Sequence, residues 1–275
     1  MIDLHLHTNA SDGRCTPADV VARASAASLS VISVTDHDTV SALREVAAHG
    51  VAAGVRVIPG IEITAVWHDL DVHVLGYFLN IRDPRLVSFL ERQRADRLRR
   101  VTLMLARLAH LGMAVDEAAV FQPVAGRAPD AVGRPQVARA LVQAGHAADT
   151  NDAFARFLGE GRPAYVPRIG ALPADVVKLV RAAGGVASLA HPAILGHDEI
   201  IGEMVAAGMQ AIEVYHPDHD ATAVDHYRDV ARRYRLVATG GSDYHGDGEH
   251  GASALGVVTL PGADLARLEA LGERD

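Results

Sequence analysis

Two histidines one residue apart, His5 and His7, stand in the first predicted strand of the chain, where apolar and polar residues alternate from residue 2 to residue 7. Because successive side chains of a strand point to opposite faces, the two imidazoles project together while the apolar side chains face the other way. Two imidazoles placed side by side can chelate a metal ion.

Seven more imidazole or carboxylate side chains lie in or after other apolar runs of the sequence. They are Asp12, His37, Glu62, His73, His191, Asp243 and His245. In a barrel of parallel strands the strand ends meet at one mouth, where catalytic groups collect. We therefore expect nine metal ligands around a single site at one end of a barrel.

Imidazole and carboxylate ligands without thiolates favour divalent manganese, iron or zinc. One ion takes about four to six ligands, so nine candidates predict two or three ions. Neighbouring cations can lower the pKa of a bound water and neutralise the charge of a phosphoryl group. The predicted chemistry is phosphoester hydrolysis.

The elements that must position these residues alternate between strand and helix, as in a parallel α/β fold. Helices are predicted at about 16–28 and 39–54 and strands at 56–59 and 72–78. The alternation then lapses into a long helical stretch and resumes with helices at 173–183, 198–207 and 222–234. The accompanying strands are predicted just before residue 191, at 211–215, before residue 243 and at 256–260. About seven barrel strands result.

A helical insertion interrupts this alternation. Helices are predicted at about 84–112, 135–144 and 150–158 with no strand between them, and so long a segment needs a structure of its own. We therefore predict three segments, residues 1–83 and 166–275 for the barrel and residues 84–165 for an all-helical insertion that covers the substrate.

Composition limits the class of protein. A chain of 275 residues that is 49% hydrophobic can bury a substantial core, and its single cysteine, Cys15, excludes an intramolecular disulfide framework and fits a reducing compartment. The first residues lack the pattern of a signal peptide, and no apolar stretch approaches the roughly 20 residues of a membrane span. We expect a cytoplasmic protein with no membrane partner.

Charge is unevenly distributed along the chain. Residues 84–168 contain 13 Lys or Arg against 8 Asp or Glu, and the remainder contains 13 against 26. An acidic body that holds cations and a basic insertion suit an anionic substrate bound between them. The arginines at 92, 94, 97, 99 and 100 could follow an RNA backbone, but interleaved acids favour a solvated helix face.

Scattered histidines are predicted to lie on the surface. These are His49, His68, His110, His146, His197, His219, His226 and His250.

Six motifs in order resemble the polymerase and histidinol phosphatase (PHP) domain family. They are His5-Leu6-His7, Ser11-Asp12-Gly13, Thr35-Asp36-His37-Asp38, Gly60-Ile61-Glu62, Ala190-His191-Pro192 and Gly241-Ser242-Asp243-Tyr244-His245. The chain is also similar to bacterial members with a helical insert, which act as nucleoside 3′,5′-bisphosphate phosphatases and as 5′ to 3′ exoribonucleases of the RNase AM type. The resemblance implies a distorted (β/α)₇ TIM-like barrel.

The resemblance also implies three metal positions. The first takes His5, His7, Glu62 and Asp243, the second takes Glu62, His73 and His191, and the third takes Asp12, His37 and His245. Glu62 would bridge the first two ions, between which a hydroxide would attack phosphorus. The expected catalytic residues are Glu62, Asp243 and His191, together with His216, which is either a proton donor to the leaving oxygen or a structural residue.

Substrate contacts are expected from three residues. Arg134 opens a helix of the insertion, where it could pair with a second phosphate beside free backbone N–H groups. Arg162, in Gly161-Arg162-Pro163, stands where relatives often have lysine, and Ser242 precedes Asp243. The expected partner is a nucleotide or another phosphorylated small molecule, with short 5′-phosphorylated RNA as a related substrate and no protein partner.

Two alternatives keep the same metal ligands. One is a metal-dependent hydrolase of amides or lactones, against which the basic insertion argues. The other is a non-catalytic PHP module that the metals merely stabilise, against which the full set of nine ligands argues. Manganese is the expected metal, with zinc and iron as alternatives.

Overall fold

The computed structural model describes residues 1–246 and 254–273. Its strands are β1 (Ile2–Leu6), β2 (Val31–Val34), β3 (Arg56–Trp67), β4 (Leu70–Tyr77), β5 (Val186–Leu189), β6 (Ala211–Tyr215) and β7 (Val237–Gly240). Its helices are α1 (Pro17–Ala26), α2 (Leu43–Ala53), α3 (Pro84–His110), α4 (Glu117–Val120), α5 (Arg134–Gln143), α6 (Thr150–Ala153), α7 (Pro173–Ala182), α8 (Pro192–Leu195), α9 (Glu199–Ala206), α10 (Ala221–Tyr234) and α11 (Gly262–Gly272). A short π-helical turn, Phe154–Leu158, follows α6.

The seven strands form one sheet in chain order, which curls into a nearly closed barrel. A parallel bridge between Leu6 and Tyr244 brings the two edges together, with the His7 N–H donating to the Tyr244 carbonyl at 2.9 Å. The predicted α/β barrel with about seven strands is confirmed.

Strand β4 departs from the all-parallel barrel that we expected, because it runs antiparallel to both β3 and β5. Strand β3 also continues to Trp67 instead of ending at Pro59. A reversed strand presents its first half to the mouth where the parallel strands end. His73 therefore reaches the mouth from the body of β4 and not from a strand end.

Two other predicted boundaries were wrong. Residues 256–260 form a turn, bends and irregular chain and not a strand. Gly256 has a φ of 75°, which is incompatible with an extended strand at that residue. The Leu260 N–H still donates to the Ile2 carbonyl. Helix α2 begins at Leu43 and not near Thr39, after a backbone reversal at Asp38 with a φ of 50°.

The insertion has an apolar core separate from those of the barrel. Helix α3 joins them, since Leu86 and Leu90 pack in a barrel core while Met104 and Leu108 pack against α5 and its neighbours. The boundaries 84 and 165 stay a prediction. None of the helices in the described ranges is both long and apolar enough to cross a membrane. The cytoplasmic location also stays a prediction.

Candidate metal centre

The structure brings all nine predicted ligands together at the mouth of the barrel. His5 lies in β1 and His7 directly follows it, while Glu62 and His73 lie within β3 and β4. The remaining ligands follow strands: Asp12 follows β1, His37 follows β2, His191 follows β5, and Asp243 and His245 follow β7. His5 Nε2 lies 3.3 Å from both Glu62 Oε2 and Asp243 Oδ1. The side chains therefore converge from six strands on one small volume.

Three compact groups, each with potential ligand atoms within 4.8 Å of one another, lie in this volume. They are His5, His7, Glu62 and Asp243, then His7, Asp12, His37 and His245, and finally His37, Glu62 and His73. The first group is identical to the first metal position that the family resemblance implies. The second group contains the three residues of the implied third position together with His7.

The third group contains His37 where the resemblance implies His191. His191 is nevertheless close, with its Nε2 3.2 Å from Glu62 Oε1, the oxygen that lies 2.7 Å from His73 Nδ1. His37 Nδ1 faces the other oxygen of Glu62 at 3.1 Å. Glu62 thus lies between the ligands of neighbouring groups, as a bridging carboxylate must.

Buried lone pairs without partners test whether the residues fit metal ions. Within the described part of the chain, seven ligand atoms are buried and make no hydrogen bond, although carboxylates and imidazoles lie close by. They are His5 Nε2, both ring nitrogens of His7, Asp12 Oδ1, His37 Nδ1, Glu62 Oε2 and His73 Nδ1. Buried polar atoms in native proteins are normally satisfied, so these unsatisfied atoms fit a set of cations.

The electrostatics agree with this fit. Burial raises the pKa of Glu62 and Asp243, but the neighbouring histidines outweigh burial and hold both pKa values well below the usual range. Burial lowers the pKa of His37 to about 3, so its ring is neutral and able to donate a lone pair. Burial lowers the pKa of His5 and His7, but nearby carboxylates outweigh burial and raise both pKa values, that of His7 to about 10, so these rings must release a proton when a cation binds. Ionised carboxylates beside imidazoles make a cluster that could bind metals.

Glu213, which we did not identify from the sequence, positions two of the predicted ligands. Its Oε1 lies 3.0 Å from His5 Nδ1, and its Oε2 accepts a hydrogen bond of 2.8 Å from the N–H of His191. His191 has a φ of 27°, a strained conformation that this bond helps to hold. A carboxylate in the middle of the apolar strand β6 was the signal that could have found it.

A cavity of about 510 Å³ opens above the cluster and is lined by arginines as well as ligands. The arginines are Arg97, Arg100, Arg134 and Arg168. Arg97 and Arg100 are buried, which corrects the prediction of a solvated face, because their side of α3 also carries the buried Leu90 and Gln93.

Two acidic residues pair with these arginines. Asp71 lies 2.8 Å from Arg134 Nη2 and 3.3 Å from Arg168 Nε, and Asp38 lies 2.6 Å from Arg97 Nε. Among the described atoms, Arg168 Nη1 and Arg100 Nη2 are buried without a hydrogen-bond acceptor. The arginines therefore retain unused N–H groups beside the cavity.

The other predicted site residues differ in position. Ser242 and His216 line the cavity. His216 Nδ1 accepts from the Asp218 N–H at 3.1 Å, so its proton is on Nε2, 3.4 Å from Asp243 Oδ2. Arg162 is exposed and is absent from the described cavity wall.

One histidine predicted at the surface is buried. His219 donates from Nδ1 to the Val214 carbonyl at 2.9 Å and stacks on Tyr227, a structural arrangement that its polarity alone did not reveal. His250 lies outside the described residues.

Known proteins resemble the chain over most of its length. The model of the PHP domain matches residues 3–124. A 3′,5′-nucleoside bisphosphate phosphatase from Chromobacterium violaceum is 33% identical over 94% of this chain and 92% of its own. The 5′-3′ exoribonuclease Rnm from Salmonella typhimurium is 32% identical over 88% of this chain and 84% of its own.

A solved structure agrees with these relatives. A protein from Bifidobacterium adolescentis, described as a metal-dependent phosphoesterase, has a TM-score of 0.90 and 31% identity, covering 98% of this chain and 96% of its own. The predicted metal-dependent hydrolysis of phosphoesters is thereby confirmed. The chain belongs to the PHP-domain family of metal-dependent phosphoesterases.

Proposed function

We propose that the protein removes a phosphate from nucleotides that carry two separate phosphates, the nucleoside 3′,5′-bisphosphates, and that short 5′-phosphorylated RNA is a second substrate. The observation that carries the proposal is the arginine-lined cavity directly above the metal-ligand cluster. One phosphate would face the cluster while the other meets the arginines.

Charge supports a second phosphate. Apart from the carboxylates of the metal-ligand cluster and the exposed Asp218, four arginines face two carboxylates, Asp38 and Asp71, so this group of side chains has two more positive than negative charges. A phosphate carries close to two negative charges at neutral pH, and guanidinium N–H groups match its oxygens. Arg100 Nη2 and Arg168 Nη1 make no hydrogen bond in the described chain and are donors for such an anion, although Arg168 Nη1 also lies 3.6 Å from Asp38 Oδ2. Arg134 is partly exposed.

The proposed cofactors are two or three divalent ions, with manganese first and zinc or iron as alternatives. Held by the nine ligands, they would activate a water and neutralise charge on the phosphate. Glu62 is suited to join two of the groups because its two oxygens face different histidines. His216 lines the cavity and is the candidate proton donor to the leaving oxygen, a role that requires the doubly protonated ring because a neutral imidazole would have to become an imidazolate.

The test is phosphate release from adenosine 3′,5′-bisphosphate, adenosine 5′-monophosphate and a 5′-phosphorylated oligoribonucleotide, each with manganese and with a chelator. We expect the bisphosphate to give the highest kcat/KM and the chelator to abolish release. Hydrolysis of an amide or lactone with no phosphate release from any nucleotide would overturn the proposal.

A further inference from the structure

The loop at residues 8–13, which joins β1 to α1 and carries Asp12, is bonded to the helical insertion along its length. Four of its residues make these bonds: Asn9 Nδ2 donates to the Val124 carbonyl at 2.7 Å, the Asp130 N–H donates to Ala10 at 2.8 Å, Gln136 Nε2 donates to Ser11 at 2.9 Å, and Arg139 Nη1 donates to Asp12 at 3.2 Å. The insertion therefore fixes the backbone that presents the Asp12 carboxylate to the cluster.

The barrel holds the same loop from the other side. Asp36 accepts from the Thr8 N–H at 2.8 Å, from the Thr8 hydroxyl at 2.6 Å and from the Ser11 hydroxyl at 2.6 Å. Hydrogen bonds from both the barrel and the insertion therefore hold the loop that carries Asp12.

Gln136 links this loop to the arginine end of α5. Its Oε1 accepts from the Gly133 N–H at 2.9 Å, capping the helix that Arg134 opens, and its Nε2 donates to the Ser11 carbonyl at 2.9 Å. The side chain is buried, with 4% of its surface exposed. One amide group therefore connects the residue before Asp12 to the residue before Arg134.

We infer that Gln136 is a positioning residue that couples the ligand group containing Asp12 to the arginine end of α5. The inference rests on the proposed function for the role of Arg134 toward a phosphate. An anion that holds the arginine end of α5 in place would, through Gln136, favour the loop position that presents Asp12, and would so tighten binding of the cation. Because coupling of binding free energies is reciprocal, the cation would tighten binding of the anion by the same factor.

Manganese titration of the metal-free protein tests the inference by calorimetry, which does not depend on turnover. The manganese equivalent that the Asp12→Asn variant no longer binds identifies the ion that Asp12 helps to hold. We expect Gln136→Met to bind this manganese ion about tenfold more weakly. Removing a group that orients a metal ligand from outside the coordination sphere weakens metal binding by this amount. Adenosine 5′-monophosphate should tighten its binding in the natural protein, and Gln136→Met should reduce this effect, because only the direct contact between phosphate and cluster would remain.

Gln136→Glu is the sharper variant because it keeps the Oε1 acceptor that caps α5 and loses only the donor to Ser11. The added negative charge of this variant would by itself strengthen manganese binding. Weaker manganese binding by Gln136→Glu would therefore show that the position of Asp12 has changed. Gln143→Glu, with the same charge at the exposed end of α5, is the matched control and should bind manganese as the natural protein does.

Unchanged manganese binding in both Gln136 variants would overturn the inference, as would equal weakening in Gln143→Glu. If Gln136→Met fails to fold, Gln136→Glu still decides the question. Failure of the natural protein to release phosphate would refute the proposed function, yet the manganese titration would still show whether Gln136 acts on the Asp12 group.

Discussion

Arg97 and Asp38 form a buried ion pair, with Arg97 Nε 2.6 Å from Asp38 Oδ2. The pair joins α3 to the residue that follows His37, so it anchors the insertion beside a predicted metal ligand. Burial raises the pKa of Asp38, but Arg97 and Arg168 outweigh it and keep the pKa below its ordinary value. The carboxylate is therefore charged at neutral pH.

Replacing Asp38 by Asn should destabilise the protein by about 3–5 kcal/mol, because it leaves buried guanidinium groups without their counter-charge. Urea unfolding monitored by circular dichroism measures this change. Asp229→Asn, which breaks an exposed pair with Arg232, is the control and should leave the midpoint unchanged. Equal stability of the two variants would contradict the role of the buried pair.

Glu213→Gln should weaken manganese binding and lower kcat, each by about 10- to 100-fold, because the carboxylate that orients His5 and holds the His191 backbone is lost. Calorimetric titration and initial rates report the two effects. The exposed Glu203→Gln on α9 is the control. Normal manganese affinity in Glu213→Gln would argue against its positioning role.

Arg134→Gln should raise KM for a nucleoside 3′,5′-bisphosphate by about tenfold or more, the value of a charged hydrogen bond of about 1.5–3 kcal/mol. KM for a nucleoside monophosphate should change less. Arg162→Gln is the control variant, because Arg162 is exposed and is not among the residues that line the described cavity. The KM of this variant for the bisphosphate should stay within about twofold of that of the natural protein. A larger effect at Arg162 would reverse the assignment.

Each manganese ion at about 100 times its Kd should stabilise the fold by about 2.7 kcal/mol, which corresponds to a Tm increase of about 5–10 °C for each ion. The physical reason is that cations satisfy the buried lone pairs of the cluster. Differential scanning fluorimetry with manganese and with chelator measures the shift. Asp243→Asn should reduce it, and an equal Tm under both conditions would count against a resident metal centre.

Manganese uptake should release a proton at neutral pH. Burial lowers the pKa of His7, but Asp243 and Glu62, each 3.2 Å from Nε2, outweigh it and raise the pKa to about 10. Without metal, His7 is then protonated at pH 7, whereas a ligand ring must lose the proton that occupies its donor nitrogen. Manganese affinity should therefore rise as the pH rises toward about 10.

The same pKa predicts how stability depends on pH in the metal-free protein. A raised histidine pKa stabilises the fold fully below the ordinary value of 6.5, and this contribution is lost as the pH rises through about 10. The Tm of the chelated protein should fall over that range. Calorimetry in buffers of different ionisation enthalpy measures the proton release, and an absence of release would refute the protonated state of His7.

The sequence by itself determined the candidate ligand residues and the barrel, because both leave local signals. A strand alternates its side chains, so His5 and His7 had to share a face, and glycines and prolines marked most helix ends. Charged or imidazole side chains in or after apolar runs pointed to one mouth, where the structure places eight in three compact groups and the ninth, His191, beside Glu62.

Only the tertiary structure decided which residues surround that cluster. The reversal of β4 and the partners of Glu213 depend on pairings between distant segments, and no local pattern encodes those pairings. Arg97 and Arg134 likewise came to share one cavity wall while Arg162 stayed outside it, although all three are arginines of the same insertion. The physical reason is that burial and charge pairing are properties of the packed molecule, whereas side-chain periodicity is a property of the chain.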